Sequence, residues 1–428
     1  MTRHVVAAAH ASSILLDRAA CIAKACALIE EAGRRGVELL CFPETFIPGF
    51  PYWINLYPPG QQYGVHVDYL KQSVDLSAGD LDPVRDAAAR AKVTVVLGIS
   101  ERAGGTMYNA QVFIGTGGQL LGKHRKLQPT FAERMLWGQG DGSTLSVFDT
   151  PAGRVGGLIC YEHMMNLARQ ALIAQGIELH CASWPTFASS AGRGSAYDVT
   201  VETIMRAHAI TGQCFVIVAQ NPVTAQYLEA METALGPQQV LGVGGGYSAI
   251  YAPNGEIVAG PHKGSEETLL IAEIDLDAIA RAKVLVDAAG HYARPGVLDL
   301  VINRRPPRAS LKAVSRGREA QRASRDGCLQ SSGPAARLTA SMTMAGVIGF
   351  GASSSAARLL PMIKRRRPGG VASAAFARAT LASTGHSASK ARRLGPCCTL
   401  KRDDPRSIPA RSAAVRSRSI CRPAMTTP

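Results

Sequence analysis

The chain has 428 residues, 46% of them hydrophobic and 18% charged, with a formal net charge of +15 at pH 7. That length supports a large hydrophobic core. Ten cysteines at irregular spacing, with no CxxC pair in the first 309 residues, exclude a disulfide-scaffolded miniprotein and a zinc ribbon. In chain order, short apolar or alternating runs predict strands over residues 4–9, 38–42, 93–99, 110–114, 155–159, 178–183 and 215–219, and a further strand pair in GGGYSAIYAPNGEIVAG. Spacings of three and four predict helices over 19–32, 82–91, 164–175 and 199–211. Alternation of the two kinds argues for α/β layers, a pattern that leaves several α/β folds open.

Chemistry is concentrated in three segments, two of which are strand ends. The run 155–159 is opened by Pro151, Ala152, Gly153 and Arg154 and closed by Cys160, after which Met164, Leu167, Ala168, Ala171 and Leu172 follow a helical period. Cys160 is therefore expected on a strand-to-helix turn, where free amides and the positive end of the helix dipole favour the thiolate. In ELLCFPETFIPGFPYW a strand runs into Pro43 and Glu44, which holds a carboxylate at its end. In GKHRKLQPTFAERMLWGQGDGS, Lys126 closes a basic run, and Glu133 and Trp137 follow at i and i+4. Strand ends on one edge of an α/β sheet converge where ligands usually bind. Glu44, Lys126, Glu133 and Cys160 are thus candidates for one pocket.

The blocks PETFIPGFPYW, HRKLQPTFAERMLWGQGDGS and GGLICYEHMMNLARQAL resemble those of the nitrilase superfamily, specifically its true nitrilase branch, and the likeness runs over about residues 1–309. The resemblance implies a four-layer α-β-β-α sandwich, with Cys160 as nucleophile, Glu44 as general base, Lys126 as the fixed cation and Glu133 as the additional active-site glutamate. It implies hydrolysis of organic nitriles to carboxylic acids and ammonia through a thioimidate and a thioester. The expected partners are a small nitrile and water, with no metal or organic cofactor, and with copies assembling into dimers or spiral homo-oligomers. An amidase or carbamoylase of the same superfamily is the alternative reading. Tyr161 stands where true nitrilases mostly carry Trp, a change that bears on substrate preference. Tyr52, Trp53, Tyr161 and Trp184, with Trp137, are candidates to wall an apolar substrate pocket, and His163 is expected to be structural.

Composition breaks near residue 309. Before it stand roughly 25 basic and 28 acidic side chains, and after it roughly 22 and 4, so the positive charge belongs to the tail. Residues 310–428, rich in Arg, Ser, Ala, Gly and Pro, read as a disordered low-complexity tail or as translation of GC-rich DNA in the wrong frame. Their KRRR run at 364–367 has no interleaved aromatics and reads as solvated charge, so nucleic acid is not an expected partner. The apolar stretch 342–350 is too short to span a bilayer. The N-terminal run reads as a strand and not a signal peptide, which places the expected location in the cytoplasm.

Overall fold

The computed structural model describes residues 3–187, 190 and 194–306. The expected tail over 310–428, with its alternative origin, lies outside those residues. The strands in chain order are β1 (Arg3–His10), β2 (Leu39–Cys41), β3 (Thr94–Ala103), β4 (Thr106–Ile114), β5 (Leu120–Arg125), β6 (Phe148–Thr150), β7 (Gly153–Ile159), β8 (Leu179–Trp184), β9 (Phe215–Gln220), β10 (Ser248–Tyr251), β11 (Ile257–His262) and β12 (Thr268–Asp275). They form two six-stranded sheets, ordered β12-β1-β2-β3-β4-β5 and β11-β10-β9-β8-β7-β6. Both follow one plan, with a parallel trio (β1, β2, β3 and β7, β8, β9) flanked by antiparallel strands.

Parallel neighbours need crossover connections. Helices α1 (Arg18–Arg34), α2 (Tyr63–Gln72) and α3 (Asp82–Ala91) supply them in the first sheet, and α4 (Asn166–Ile173) and α5 (Gly194–Gly212) in the second; α6 (Ala225–Leu235) and α7 (Asp277–Leu285) follow. Side-chain alternation then sets the layers. Ala7, Ala9, Val95, Leu97 and Ile99 pack with Cys21, Ile29 and Val84 of α1 and α3. Their neighbours Val6, Ala8 and Val96 face the other sheet, against Val155, Leu179 and Ile217. Val216 and Val218 point outward to Leu172, Val201 and Met205 of α4 and α5. Because both faces of the central strands are covered, they read as mostly apolar runs. The result is the α-β-β-α sandwich that the resemblance implies.

Leaving a buried polar group unsatisfied costs about 1–3 kcal/mol, and several polar groups that enter the inter-sheet layer bond across it. Gln111 of β4 donates to the Cys181 carbonyl at 3.1 Å and to Ser183 Oγ at 2.7 Å, and Ser183 donates to the Phe42 carbonyl at 2.8 Å. These bonds tie the sheets together where β2 and β7 end. Gly98 lets the turn after β2 lie on β3, since a Cβ there would stand 2.0 Å from the Pro43 carbonyl oxygen.

Two local expectations are corrected. The basic run before Lys126 is the edge strand β5, whose Lys123 and Arg125 both pair with Glu101 of β3. Charge on an edge strand blocks unwanted pairing, and it also hides the strand from an apolar pattern. The helix expected to follow Cys160 directly is a 3-10 turn over Cys160–Met164, and α4 begins only at Asn166. Among the described residues, no helix is long and apolar enough to cross a membrane.

Candidate active site

Glu44, Lys126, Glu133 and Cys160 meet at one end of the two sheets, and all four are buried. Glu44 follows β2, Lys126 follows β5, and Cys160 follows β7. Glu133 lies on a 3-10 turn over Phe131–Met135, where its Oε2 accepts from the Thr130 amide at 2.8 Å. The Lys126 ammonium donates to Glu44 Oε1 at 2.8 Å and to Glu133 Oε2 at 2.7 Å. Asn109 of β4 adds a bond to Glu44 Oε1, while Glu44 Oε2 has no partner among the described residues. Carboxylate oxygens of Glu44 and Glu133 and the Cys160 sulfur all lie within 4.8 Å of one another. Such a trio resembles a metal-ligand set, but the Lys126 ammonium, bonded to both carboxylates, occupies the cation's place.

Backbone strain gathers here. Thr45, Phe131 and Cys160 adopt φ of 43°, 47° and 54°, which non-glycine residues rarely do. Each such residue costs about 1–3 kcal/mol, and at Cys160 the cost turns the side chain sharply off the end of β7.

Electrostatics correct the expectation of a resting thiolate. Burial, reinforced by the Glu44 charge, pushes the Cys160 thiol well above its usual range, against the pull of Lys126 and the Tyr161 amide. The helix dipole invoked from sequence is absent because α4 starts six residues later. Burial also raises Glu44 to about 7, with Lys126 opposing and Glu133 adding to the rise. For Lys126, burial alone would lower the value, but the charges of Glu133 and Glu44 together raise it. At neutral pH the site therefore brings together a protonated thiol, a carboxyl group close to the midpoint of its titration and a lysine cation.

The model of the carbon-nitrogen hydrolase family matches residues 5–284. This chain belongs to the carbon-nitrogen hydrolase family. It is 39% identical over 303 residues to an aliphatic nitrilase of Rhodococcus rhodochrous, covering 70% of this chain and 82% of that one. It is 37% identical over 302 residues to a nitrilase of Pseudomonas syringae pv. syringae, covering 70% and 90%. In fold it is similar to the NitFhit protein of C. elegans (TM-score 0.55, 22% identity, 71% and 68% covered) and to a carbon-nitrogen hydrolase from Helicobacter pylori G27 (TM-score 0.53, 19% identity, 67% and 94% covered).

In this carbon-nitrogen hydrolase a cavity of about 160 Å³ opens onto the sulfur, lined by Asn55, Thr130, Phe131, Glu133, Cys160, Tyr161 and Phe187. Of the aromatic candidates read from sequence, Tyr161 is on the wall. Tyr52 packs behind Phe187 with ring centroids 5.5 Å apart, Trp184 packs behind Tyr161 at 5.7 Å, and Trp53 is buried against Tyr69 at 5.3 Å. Trp137 is also buried, and its indole donates to Ser100 Oγ at 3.0 Å. Asn55, Phe131 and Phe187 are wall residues that the sequence reading missed. Asn55 and Phe187 lie two and three residues beyond Trp53 and Trp184, and Phe131 lies inside the block HRKLQPTFAERMLWGQGDGS.

Beneath Cys160 lies a buried histidine cluster. His163 Nδ1–H donates to the Cys160 carbonyl at 2.7 Å, so its Nε2 accepts from His180 Nε2–H at 2.8 Å. The His163 ring stacks on Trp184, and His208 packs edge-on to His180 at 4.2 Å. Burial is the largest cause of depressed values in all three, taking His163 to about 4 and His180 and His208 well below normal. The unfolded chain takes up protons at its ordinary histidine pKa of about 6.5, whereas the folded His163 does so only near 4. Stability is therefore lost as pH falls through that window. Urea unfolding at pH 7.5 and pH 5 should show His208→Leu losing less stability on acidification than the wild type. An equal loss in both would remove His208 from the acid response.

Proposed function

We propose that this chain is a nitrilase, converting an organic nitrile and two waters into a carboxylic acid and ammonia. The observation that carries the reading is the buried Lys126 ammonium bridging two carboxylates beside Cys160, in a chain whose sequence relatives are nitrilases. Glu44 takes the thiol proton as sulfur adds to the nitrile carbon. A C–S bond forms, one C–N π bond opens, and the proton passes to nitrogen, giving a thioimidate. Water then adds, its proton passing through Glu44 to nitrogen to give a tetrahedral amine; the C–N bond breaks as the hydroxyl proton is relayed to nitrogen, so ammonia leaves and a thioester carbonyl forms. A second water releases the acid and returns the proton to sulfur. Lys126 and the Tyr161 amide stabilise the negative charge that develops on the attacked nitrogen and later on oxygen. Glu133 holds Lys126 in place.

Phe131, Tyr161 and Phe187 give the cavity an apolar wall, and Asn55, Thr130 and Glu133 give it polar groups. This supports aryl, arylaliphatic and medium aliphatic nitriles as substrates. Ammonia and acid release from such nitriles and their matching amides tests the reading. Acid from nitriles supports it, and turnover of amides alone overturns it in favour of an amidase. Copies of the chain are further proposed to pair, which exposed Met164, Met165 and Leu167 support; light scattering on the purified protein measures the assembly. A cytoplasmic location remains part of the proposal.

The rate should carry the signature of Glu44. A base works only when ionised, so kcat/KM is expected to fall as pH drops through about 7, the value to which burial raises this carboxyl. The apparent value belongs to the coupled carboxylate–lysine site as a whole. A pH–rate profile whose acid limb sits near the ordinary carboxylate range would overturn the raised value, and a profile with no acid limb would remove Glu44 as the base.

A further inference from the structure

We propose that Glu162 is a positioning residue, a clasp between the two sheets that sets the separation of Lys126 and Cys160. The proposal rests on the reading of Cys160 as the nucleophile. Glu162 lies on the turn after Cys160 and is 1% exposed. Its Oε1 accepts from the Leu127 amide at 2.8 Å and its Oε2 from the Ile159 amide at 3.0 Å. His124 Nε2 donates to both oxygens at 3.0 Å. Leu127 directly follows Lys126, and Ile159 directly precedes Cys160. The strands that carry them, β5 and β7, belong to different sheets and share no ladder. One carboxylate thus bonds the backbone on the cation's side and the backbone on the nucleophile's side.

An ionised carboxylate is acceptor-only, which suits three converging N–H donors. Burial alone would raise the Glu162 carboxyl, but the His124 charge and the three hydrogen bonds hold it below the usual range. A glutamine would keep one acceptor and turn an NH2 toward the other donors, so at least one side of the clasp would open. The groups facing the thiol are Glu44, Lys126 and Glu133, with the phenols of Tyr52 and Tyr197; those facing Glu162 are His124 and His163. Of these, only Lys126 is a permanent cation, so moving it away leaves both Glu44 and the thiol holding protons to higher pH.

The test is the pH dependence of Cys160 alkylation by iodoacetamide, read by peptide mass spectrometry on the full-length chain, alongside kcat and KM for a nitrile. In Glu162→Gln the alkylation midpoint should move up by roughly one pH unit. Nitrile kcat should fall on the order of 10²-fold with KM little changed. His124→Phe should move the midpoint the same way by less, and His124→Gln, which keeps a donor, should restore it. A plain folding defect would lower the reactive fraction without moving the midpoint, and His124→Phe carries the test if Glu162→Gln does not fold. Wild-type midpoints in folded Glu162→Gln or His124→Phe would overturn the clasp. A wild type that alkylates normally but turns over no nitrile would instead overturn the nitrilase reading.

Discussion

Cys160→Ala should abolish nitrile turnover, with a loss on the order of 10⁶-fold. In the proposed mechanism the thiol is the soft nucleophile, and the step from nitrile to thioimidate has no substitute for it. The other described thiols, Cys21, Cys26, Cys41, Cys181 and Cys214, sit in α1, in strands or beside them, and none lines the cavity. Removing sulfur from a buried position deletes little volume, so the variant should remain folded. An ammonia assay on the folded variant checks this. Retained turnover would end the covalent route.

Lys126→Ala should be less damaging to rate than Cys160→Ala and more damaging to the fold. The loss of rate should be on the order of 10³-fold, the scale for removing a fixed group aimed at developing charge. The wild-type ammonium bonds Glu44 and Glu133 with almost no exposure to solvent. Its removal leaves two buried carboxyl groups without their cation, a change that costs about 3–5 kcal/mol. Glu44 then loses the main force that opposes its burial, so the acid limb of the residual activity should move above that of the wild type. Steady-state kinetics over pH, paired with urea unfolding, measure both effects. A variant of wild-type stability with an unmoved limb would mean that Lys126 does not govern Glu44.

The strands of the two parallel trios were legible because both of their faces are buried. Val93 to Ile99 and Phe215 to Ala219 are mostly apolar runs, and Pro43 and Cys160 mark abrupt ends. The edges were less legible. Edge strand β5 carries Lys123, His124 and Arg125, and α6 has only Tyr227 and Met231 fully buried. Glu44, Lys126, Glu133 and Cys160 stood out because each interrupts or closes a patterned segment. Asn109 and Glu162 did not, because their function depends on contacts 65 and 38 residues away in the chain. The protonation state of Cys160 was also not legible, since it depends on burial and on the delayed start of α4.

The most direct measurement is the mass of Cys160 during turnover. Wild-type enzyme mixed with a nitrile, quenched in acid within a few turnovers and digested, should show the peptide containing Cys160 heavier by the acyl group of that nitrile, and the adduct should vanish as substrate runs out. Steady nitrile hydrolysis with an unmodified Cys160 peptide at every quench time, or an adduct on a different residue, would contradict the thioester mechanism.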